Sequence, residues 1–421
     1  MMTQLARIRF LPNRGWQLFA FGAFCFLLLL PLASWLALGS PFIWETFARP
    51  SIGGLMLLCT AAGLASWWLT WRWGRFPYAD VFGSSVTATL LPFLVVVVIL
   101  VFSRWWYSRP FLLITFFGCL VLNFAILYWR SRTPLRVGLV PSAIMSRFVG
   151  LPRLQVQWLE QPVNDLKAVA VVADLHYPHD PIWTRFLAQS AARGIPVLDA
   201  VTILEEVTGR VWLERLAHDS TGLLISRLYL GFKRFWETLF LIVISPLWLP
   251  VVLMVGLWVR FDSAGPVLFY QNRVGLGGRV FKMVKFRSMR PDSEVDGAQF
   301  AAASDDRITR VGKIIRKFRL DELPQILNIL KGDMAFIGPR PEQSKFAEEF
   351  SNTISFYDAR HLVRPGLTGW AQVVHGYTAS EDETRVKLEY DLYYVKHFSF
   401  WLDLLIILKT IKVVLTGFGS R

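Results

Sequence analysis

Four apolar runs occupy the first third of the chain, at about 16–38, 51–71, 86–102 and 111–129. Each approaches the roughly 20 residues that a helix needs to cross the hydrocarbon of a bilayer. Inside that hydrocarbon every backbone polar group must be satisfied within the protein, so such runs fold as helices or not at all. The composition agrees: 54% of the 421 residues are hydrophobic and the mean hydropathy is +0.41. The third run is the weakest, because Pro92 interrupts it. Arg104 and the Trp105-Trp106-Tyr107 cluster then mark a membrane interface.

Loop arginines set the expected orientation. Arg7, Arg9 and Arg14 precede the first run, Arg72 and Arg75 follow the second, and Arg130, Arg132 and Arg136 follow the fourth. The other two loops carry only Arg49, Arg104 and Arg109. This asymmetry puts the N-terminus and residue 130 onward in the cytoplasm. The net charge of +14 suits anionic headgroups or phosphorylated substrates, and the apolar content argues against nucleic acid. Cys25, Cys59 and Cys119 all lie in apolar runs without metal-ligand spacing, so neither a zinc site nor a disulfide framework is expected. The first run lacks a small-residue cleavage site, so a cleaved signal peptide is not expected either.

From about 135 to 215 the composition turns soluble. "LRVGLV", "KAVAVVAD" and "IPVLDA" are spaced as buried strands, and "DPIWTRFLAQSAARG" as a helix ending at Gly194. Strand, helix and strand at this spacing predict a small α/β unit with parallel strands. "GLVPSAIM" lacks the glycine fingerprint of a dinucleotide site, so a docking, dimerisation or regulatory role is preferred.

A fifth apolar run, 235–259, contains Ser245-Pro246 and Pro250. Proline removes a backbone donor and clashes with the preceding turn, so a kink is expected. A true crossing would put the rest of the chain outside. A kinked helix flanked by Lys233, Arg234 and Arg260 can instead enter and leave by the same face. The remainder is charged and compact, with strands in "PVLFYQNRVG" and "RVFKMVKFRSM" joined by a turn at "GLGG". Near the end, Asp403, Lys409 and Lys412 interrupt an apolar helix, which is expected to lie on a surface.

Within this half, Asp321 and Glu322 stand side by side before Pro324, framed by Arg316, Lys317, Arg319, Lys331 and Arg340. Neighbours on a helix point about 100° apart, so the pair cannot face across one glycosidic bond. It can divide labour, one carboxylate attacking phosphorus and the other holding a divalent metal such as Mg²⁺. Arginines and lysines, with Arg316, Arg340, Arg364, Lys285 and Arg287 as candidates, would neutralise phosphoryl oxygens. The plain alternative is that the two acids only favour the first turn of a helix through its dipole. His361, His375 and His397 have no paired spacing and read as structural. The tryptophans read as interfacial anchors or membrane packing.

Residues 227–421 resemble the bacterial sugar transferase family of monotopic phosphoglycosyltransferases. The stretches that carry the resemblance are "KFRSM", "DDRITRVGKIIRKFRLDELPQILNILKGDMAFIGPRP", "RPGLTGWAQV" and "YDLYYVKHFSFWLDLLIILKTIKVVL". The four runs and the α/β unit resemble the larger members, which initiate exopolysaccharide, capsule or O-antigen assembly. The resemblance implies a membrane α/β fold in three parts: a four-helix transmembrane bundle (1–134), a degenerate Rossmann-like domain (135–226) and an α+β monotopic catalytic domain (227–421). Its re-entrant helix, at about 235–259, would break at Ser245-Pro246.

The resemblance further implies that Asp321 attacks the sugar-linked phosphate of a UDP-sugar while Glu322 ligates Mg²⁺. Lys285, Arg316, Arg340, Arg364 and Asp391 fall on family active-site positions. UMP leaves, and undecaprenyl phosphate takes the phosphosugar at the cytoplasmic face of a bacterial inner membrane. Glucose is the first expectation for the sugar, with galactose or an N-acetylated sugar as alternatives. A homodimer is compatible with the reading, as is a non-catalytic scaffold for polysaccharide assembly or export. A transferase using intramembrane carboxylates is not, because the four runs contain no acid. One departure stands out. After "WAQV" many members continue with Asn-Gly-Arg, whereas here the chain reads Val374-His375-Gly376-Tyr377.

Overall fold

In a computed structural model of the chain, the described residues are 29, 32–34, 36–37, 50–73, 76–77, 81–105, 107–132, 135–151, 154–163, 168–216, 223, 225–289, 307–375 and 381–416. They fall into two compact units, Met1–Gly209 and Arg210–Arg421.

The first unit contains three long apolar helices, α1 (Pro50–Trp73), α2 (Val81–Ser103) and α3 (Arg109–Arg132). All three are long and apolar enough to cross a membrane. They match the second to fourth runs, and α2 runs unbroken through Pro92. The expected first span lies outside the described residues except for 29, 32–34 and 36–37, which are helical. Leu55, Met56 and Cys59 of α1, Phe93 and Val96 of α2 and Phe111 and Cys119 of α3 share one buried cluster. A polar knot joins the three helices: Asn123 Nδ2 donates to Ser66 Oγ at 2.6 Å and to Thr89 Oγ1 at 3.0 Å.

After these helices comes a four-stranded parallel sheet of β1 (Leu135–Leu139), β2 (Leu154–Trp158), β3 (Ala170–Ala173) and β4 (Val197–Asp199), in the order β2-β1-β3-β4. Every residue of β3 is buried, as expected for an inner parallel strand. Strand β2 was missed in the sequence, because "LQVQW" alternates apolar and polar residues and has only intermediate or exposed positions. Helix α4 (Pro181–Ala192) stops where expected, with Gly194 at φ +79°. Helix α5 (Ala200–Thr208) is capped by Asp199, whose Oδ2 accepts the Thr202 N–H at 2.9 Å.

After a helical turn at Leu213–Leu216, the second unit continues with α6 (Arg227–Val243) and α7 (Ser245–Asp262). They meet at a break on Ile244, directly before Ser245-Pro246. Ser245 Oγ donates to Ile242 O at 2.7 Å, and Trp248 Nε1 reaches Leu241 O at 2.9 Å across the break. Helix α7 alone is long and apolar enough to cross a membrane, and Leu247, Leu253, Met254 and Phe261 are exposed along the pair. Both outer ends return to one compact body. In α6, Lys233 is tied to the C-terminal helix; in α7, Val255 and Val259 pack on Phe286, Val311 and Ile315.

That body contains the antiparallel hairpin β5 (Leu268–Val274) and β6 (Val280–Phe286), joined at Leu276–Gly278 as expected for "GLGG". It also contains α8 (Arg310–Lys317), a 3-10 turn at Leu320–Gln325, and α9 (Ile326–Lys331). Strand β7 (Ala335–Ile337), α10 (Ser344–Thr353), β8 (Gly366–Thr368), α11 (Trp370–Val374), α12 (Glu381–Lys396) and α13 (Phe400–Thr416) complete it. Strands β7 and β8 run parallel. The reading of Asp403 as a polar interruption on a surface helix needs correction. It is 1% exposed and accepts Lys233 Nζ at 2.7 Å, Tyr229 OH at 2.6 Å and Tyr394 OH at 2.7 Å. A buried carboxylate needs such partners, and this one joins α13 to α6.

Candidate active site

The acidic pair is placed by a sharp local reversal. Thr309 caps α8 through Oγ1, which accepts the Gly312 N–H at 2.9 Å. Asp262, the last residue of α7, accepts the Val311 N–H at 3.3 Å. Helix α8 then ends, and Arg319 takes φ +53°, a left-handed conformation uncommon for a residue with a Cβ. This turns the chain into the 3-10 segment whose first turn carries Asp321 and Glu322. Helix α9, which follows the segment directly, is held against β6 by Asn328, which imitates a strand: its Oδ1 accepts Val284 N–H at 3.0 Å and its Nδ2 donates to Lys282 O at 2.8 Å.

The two carboxylates sit in different environments. Glu322 is buried, and its Oε1 receives Lys285 Nζ at 3.3 Å and Arg340 Nη2 at 3.0 Å. Burial alone would raise its pKa. Arg340 and Lys285, with Arg319, outweigh burial and hold the carboxyl at about 2. Asp321 is half-buried. Its pKa is raised, by burial first and by the Glu322 charge second, against the pull of Lys285, Arg316 and Arg340. Burial also lowers the Lys285 ammonium. Neighbouring acids pushed apart in this way can take different roles. Glu322 is a locked anion, whereas Asp321 is an incompletely neutralised one beside a cationic frame.

Arg340 is delivered by the loop after β7. Gly338 and Gly366 explain the glycines in "GPRP" and "RPGLTGW". A Cβ on Gly338 would lie 2.2 Å from Arg364 O, and one on Gly366 would lie 2.1 Å from Gly338 N. The two backbones pass too closely for any side chain. Arg360, 3% exposed, fixes the same loop by donating to Arg340 O at 2.8 Å. Its guanidinium is anchored by Asp391 Oδ2 at 2.8 Å and by Tyr357 OH at 2.7 Å.

The structure therefore brings together Asp321, Glu322, Lys285 and Arg340, with Arg316 near enough to act electrostatically. Asp391 is fully buried and reaches the site only through Arg360. Arg364 donates to Gly332 O at 3.0 Å, and its nearest charges are Arg234 and Glu237. Arg287 is buried at the end of β6, where Nη2 donates to Ser263 O at 2.6 Å. Ser245 and Pro246 stand at the helix break.

Sequence reading missed Arg273, Glu342, Lys387 and Arg360. Arg273 lines a small recess together with Met283, Gln325, Arg340, Pro341 and Gly366. Arg273 Nη1 donates to Pro341 O at 2.9 Å. Lys387 and Arg360 hold Glu342 at about 2 against burial. These residues carry no local motif, since their meaning comes from partners far along the chain. His375, at the departure from the family pattern, stacks on Tyr390 with ring centroids 5.6 Å apart; residues 376–380 lie outside the described set.

The donor set fits Mg²⁺ as a site completed by substrate. Mg²⁺ is commonly held by one or two carboxylates plus phosphate oxygens, and Glu322, firmly ionised, would supply the carboxylate. Another close group among the described residues, Asp174, His176 and Asp199, reads as helix-cap chemistry. Asp199 Oδ2 caps α5, and its Oδ1 takes the Leu175 N–H at 3.3 Å.

Comparison with known proteins gives consistent results. A sequence profile of the family described as "Bacterial sugar transferase" matches residues 228–417. A protein of Aeromonas hydrophila, named UDP-N-acetylgalactosamine-undecaprenyl-phosphate N-acetylgalactosaminephosphotransferase, is 42% identical over 99% of this chain and 97% of its own length. Two proteins named UDP-glucose:undecaprenyl-phosphate glucose-1-phosphate transferase are similar over a smaller part. The one from Xanthomonas campestris pv. campestris is 45% identical over 42% of this chain and 37% of its own length. The one from Escherichia coli is 39% identical over 44% of this chain and 39% of its own length.

Proposed function

We propose, from the premise that this chain belongs to the bacterial sugar transferase family, that it moves a sugar 1-phosphate from a UDP-sugar to undecaprenyl phosphate. It is a phosphoglycosyltransferase, and the observation that carries the residue assignment is the split between Asp321 and Glu322. A carboxylate short of full neutralisation lies beside a cluster of cations able to receive phosphate oxygens.

In the proposed reaction a carboxylate oxygen of Asp321 attacks the phosphorus attached to the sugar. The bond from that phosphorus to the bridging oxygen breaks and UMP leaves with the electron pair. A phosphate oxygen of the lipid then attacks the same phosphorus and expels the Asp321 carboxylate, giving undecaprenyl diphosphate-sugar. Lys285, Arg340 and Arg316 neutralise charge on the phosphoryl oxygens. Glu322 would hold Mg²⁺, which supplies charge neutralisation on the diphosphate. Arg273 extends the cationic lining into the neighbouring recess.

N-acetylgalactosamine is the sugar we propose. The relative that aligns across almost the whole chain is named for it, whereas the two glucose-named relatives above align over less than half of the chain. The glucose expectation is set aside on that ground. The return of both α6 and α7 to one compact body supports a re-entrant path, and the arginine distribution supports a cytoplasmic active site.

The test is UMP release from a panel of UDP-sugars, with and without undecaprenyl phosphate. UDP-N-acetylgalactosamine should be turned over fastest, and Asp321→Asn should lose both turnover and a trapped phosphosugar adduct. Silence of the wild-type protein with every donor would remove the proposed reaction and favour a scaffold in which the acids only cap a turn. Full UMP release in Asp321→Asn would remove Asp321 as the nucleophile.

A further inference from the structure

Among the described residues strand β7 has one strand partner, β8, so its other edge would present unpaired backbone groups. Side chains of α6 meet two of these groups, and Tyr394 OH of α12 also donates to Ile337 O at 3.1 Å. Glu237 Oε1 accepts the Phe336 N–H at 3.1 Å, and Lys233 Nζ donates to Ile337 O at 2.8 Å. Lys233 and Glu237 stand one helical turn apart, 3.8 Å from each other, and both are 3% exposed. Residues at this spacing share a helix face, so α6 offers one acceptor and one donor where a third strand would have offered the same. Lys233 uses its remaining donors on Asp403 Oδ2 at 2.7 Å and Tyr394 OH at 2.8 Å. With three donors on an ammonium, it is fully committed and has none left for a ligand.

The end of β7 leads through Gly338 and Pro339 to Arg340, whose guanidinium lies on Glu322. We propose that Lys233 and Glu237 are positioning residues for Arg340, so that the membrane-associated helix α6 forms part of the frame of the active site. This rests on the reading of Arg340 as a phosphate-neutralising group. It makes a definite claim about helix α6: its seating on β7, and not only its attachment to lipid, sets the geometry at Glu322.

The test uses the full chain in lipid nanodiscs and two variants of one side chain. Glu237→Gln keeps an oxygen to accept the Phe336 N–H, whereas Glu237→Leu does not. Amide hydrogen exchange in the 335–340 segment should quicken in Glu237→Leu and stay near wild type in Glu237→Gln. In UMP release, Glu237→Leu should lower kcat by about tenfold, Glu237→Gln should restore it, and Arg340→Ala should largely erase the difference, as expected for coupled residues. The proposal is overturned by unchanged exchange in Glu237→Leu, by a Gln variant as impaired as Leu, or by losses that multiply fully with Arg340→Ala. A wild-type protein silent with every donor would instead remove the proposed reaction, and the exchange experiment would still decide whether α6 clamps β7.

Discussion

Asp321 and Glu322 are adjacent in the chain, yet only Glu322 is locked by direct cationic partners. Their adjacency and basic frame were legible in the sequence; which acid was locked was not, because Lys285 and Arg340 reach Glu322 from other elements. Lys285 is one of two cations on Glu322 and also pulls down Asp321. In Lys285→Met both carboxyls should titrate higher. The acid limb of UMP release should move to higher pH, and kcat should fall by about 10²-fold, the scale of losing one charge-stabilising donor. A second residue-scale effect concerns stability. Burial first, then Arg360, holds the His361 imidazole down at about 4 from an ordinary 6.5. The unfolded chain takes up that proton near 6.5 and the folded chain only near 4. The contribution is therefore intact above 6.5 and lost as pH falls from 6.5 toward 4. His361→Gln should flatten the fall in Tm across that window. Glu342, held at about 2 from an ordinary 4.5, gives its own loss lower, from about 4.5 down.

At the scale of elements, length and apolar periodicity made the long helices legible, and proline marked the break at Ile244. The three-residue strands β7 and β8 were not legible. One edge of β7 is closed by Lys233 and Glu237, about a hundred residues earlier in the chain, and no local pattern announces that. The glycines of "GPRP" and "RPGLTGW" are required by the backbone crossing itself. Gly338→Ala should therefore lower Tm markedly, by the equivalent of about 3 kcal/mol or more, because the obstructing atom is a carbonyl that cannot swing aside. A gentler case lies among the membrane helices. Asn123 ties α3 to α1 and α2, and hydrogen bonds of this kind between transmembrane helices are worth about 0.6–2 kcal/mol. Asn123→Leu should reduce resistance to unfolding in detergent by that amount without altering UMP release.

At the scale of the whole molecule, the decisive quantity is the parity of membrane crossings. Three of the four described helices with the length and apolarity to cross, α1 to α3, precede the sheet, and the first apolar run would make a fourth crossing before α6 and α7. An even number returns the chain to its starting side, so the active site shares the face of the N-terminus only if α6 and α7 together add no crossing. A spanning α7 would place Asp321 on the face opposite the N-terminus. Single-cysteine labelling in a cysteine-free background separates the two arrangements. Tyr107, exposed after α2, and Lys345, exposed on α10, should lie on opposite sides. An impermeant maleimide should reach Tyr107→Cys in spheroplasts whose inner membrane is intact, and Lys345→Cys only after that membrane is opened. Labelling of Lys345→Cys in the intact spheroplasts would make α7 a true span, and a cytoplasmic UDP-sugar could then no longer be the donor.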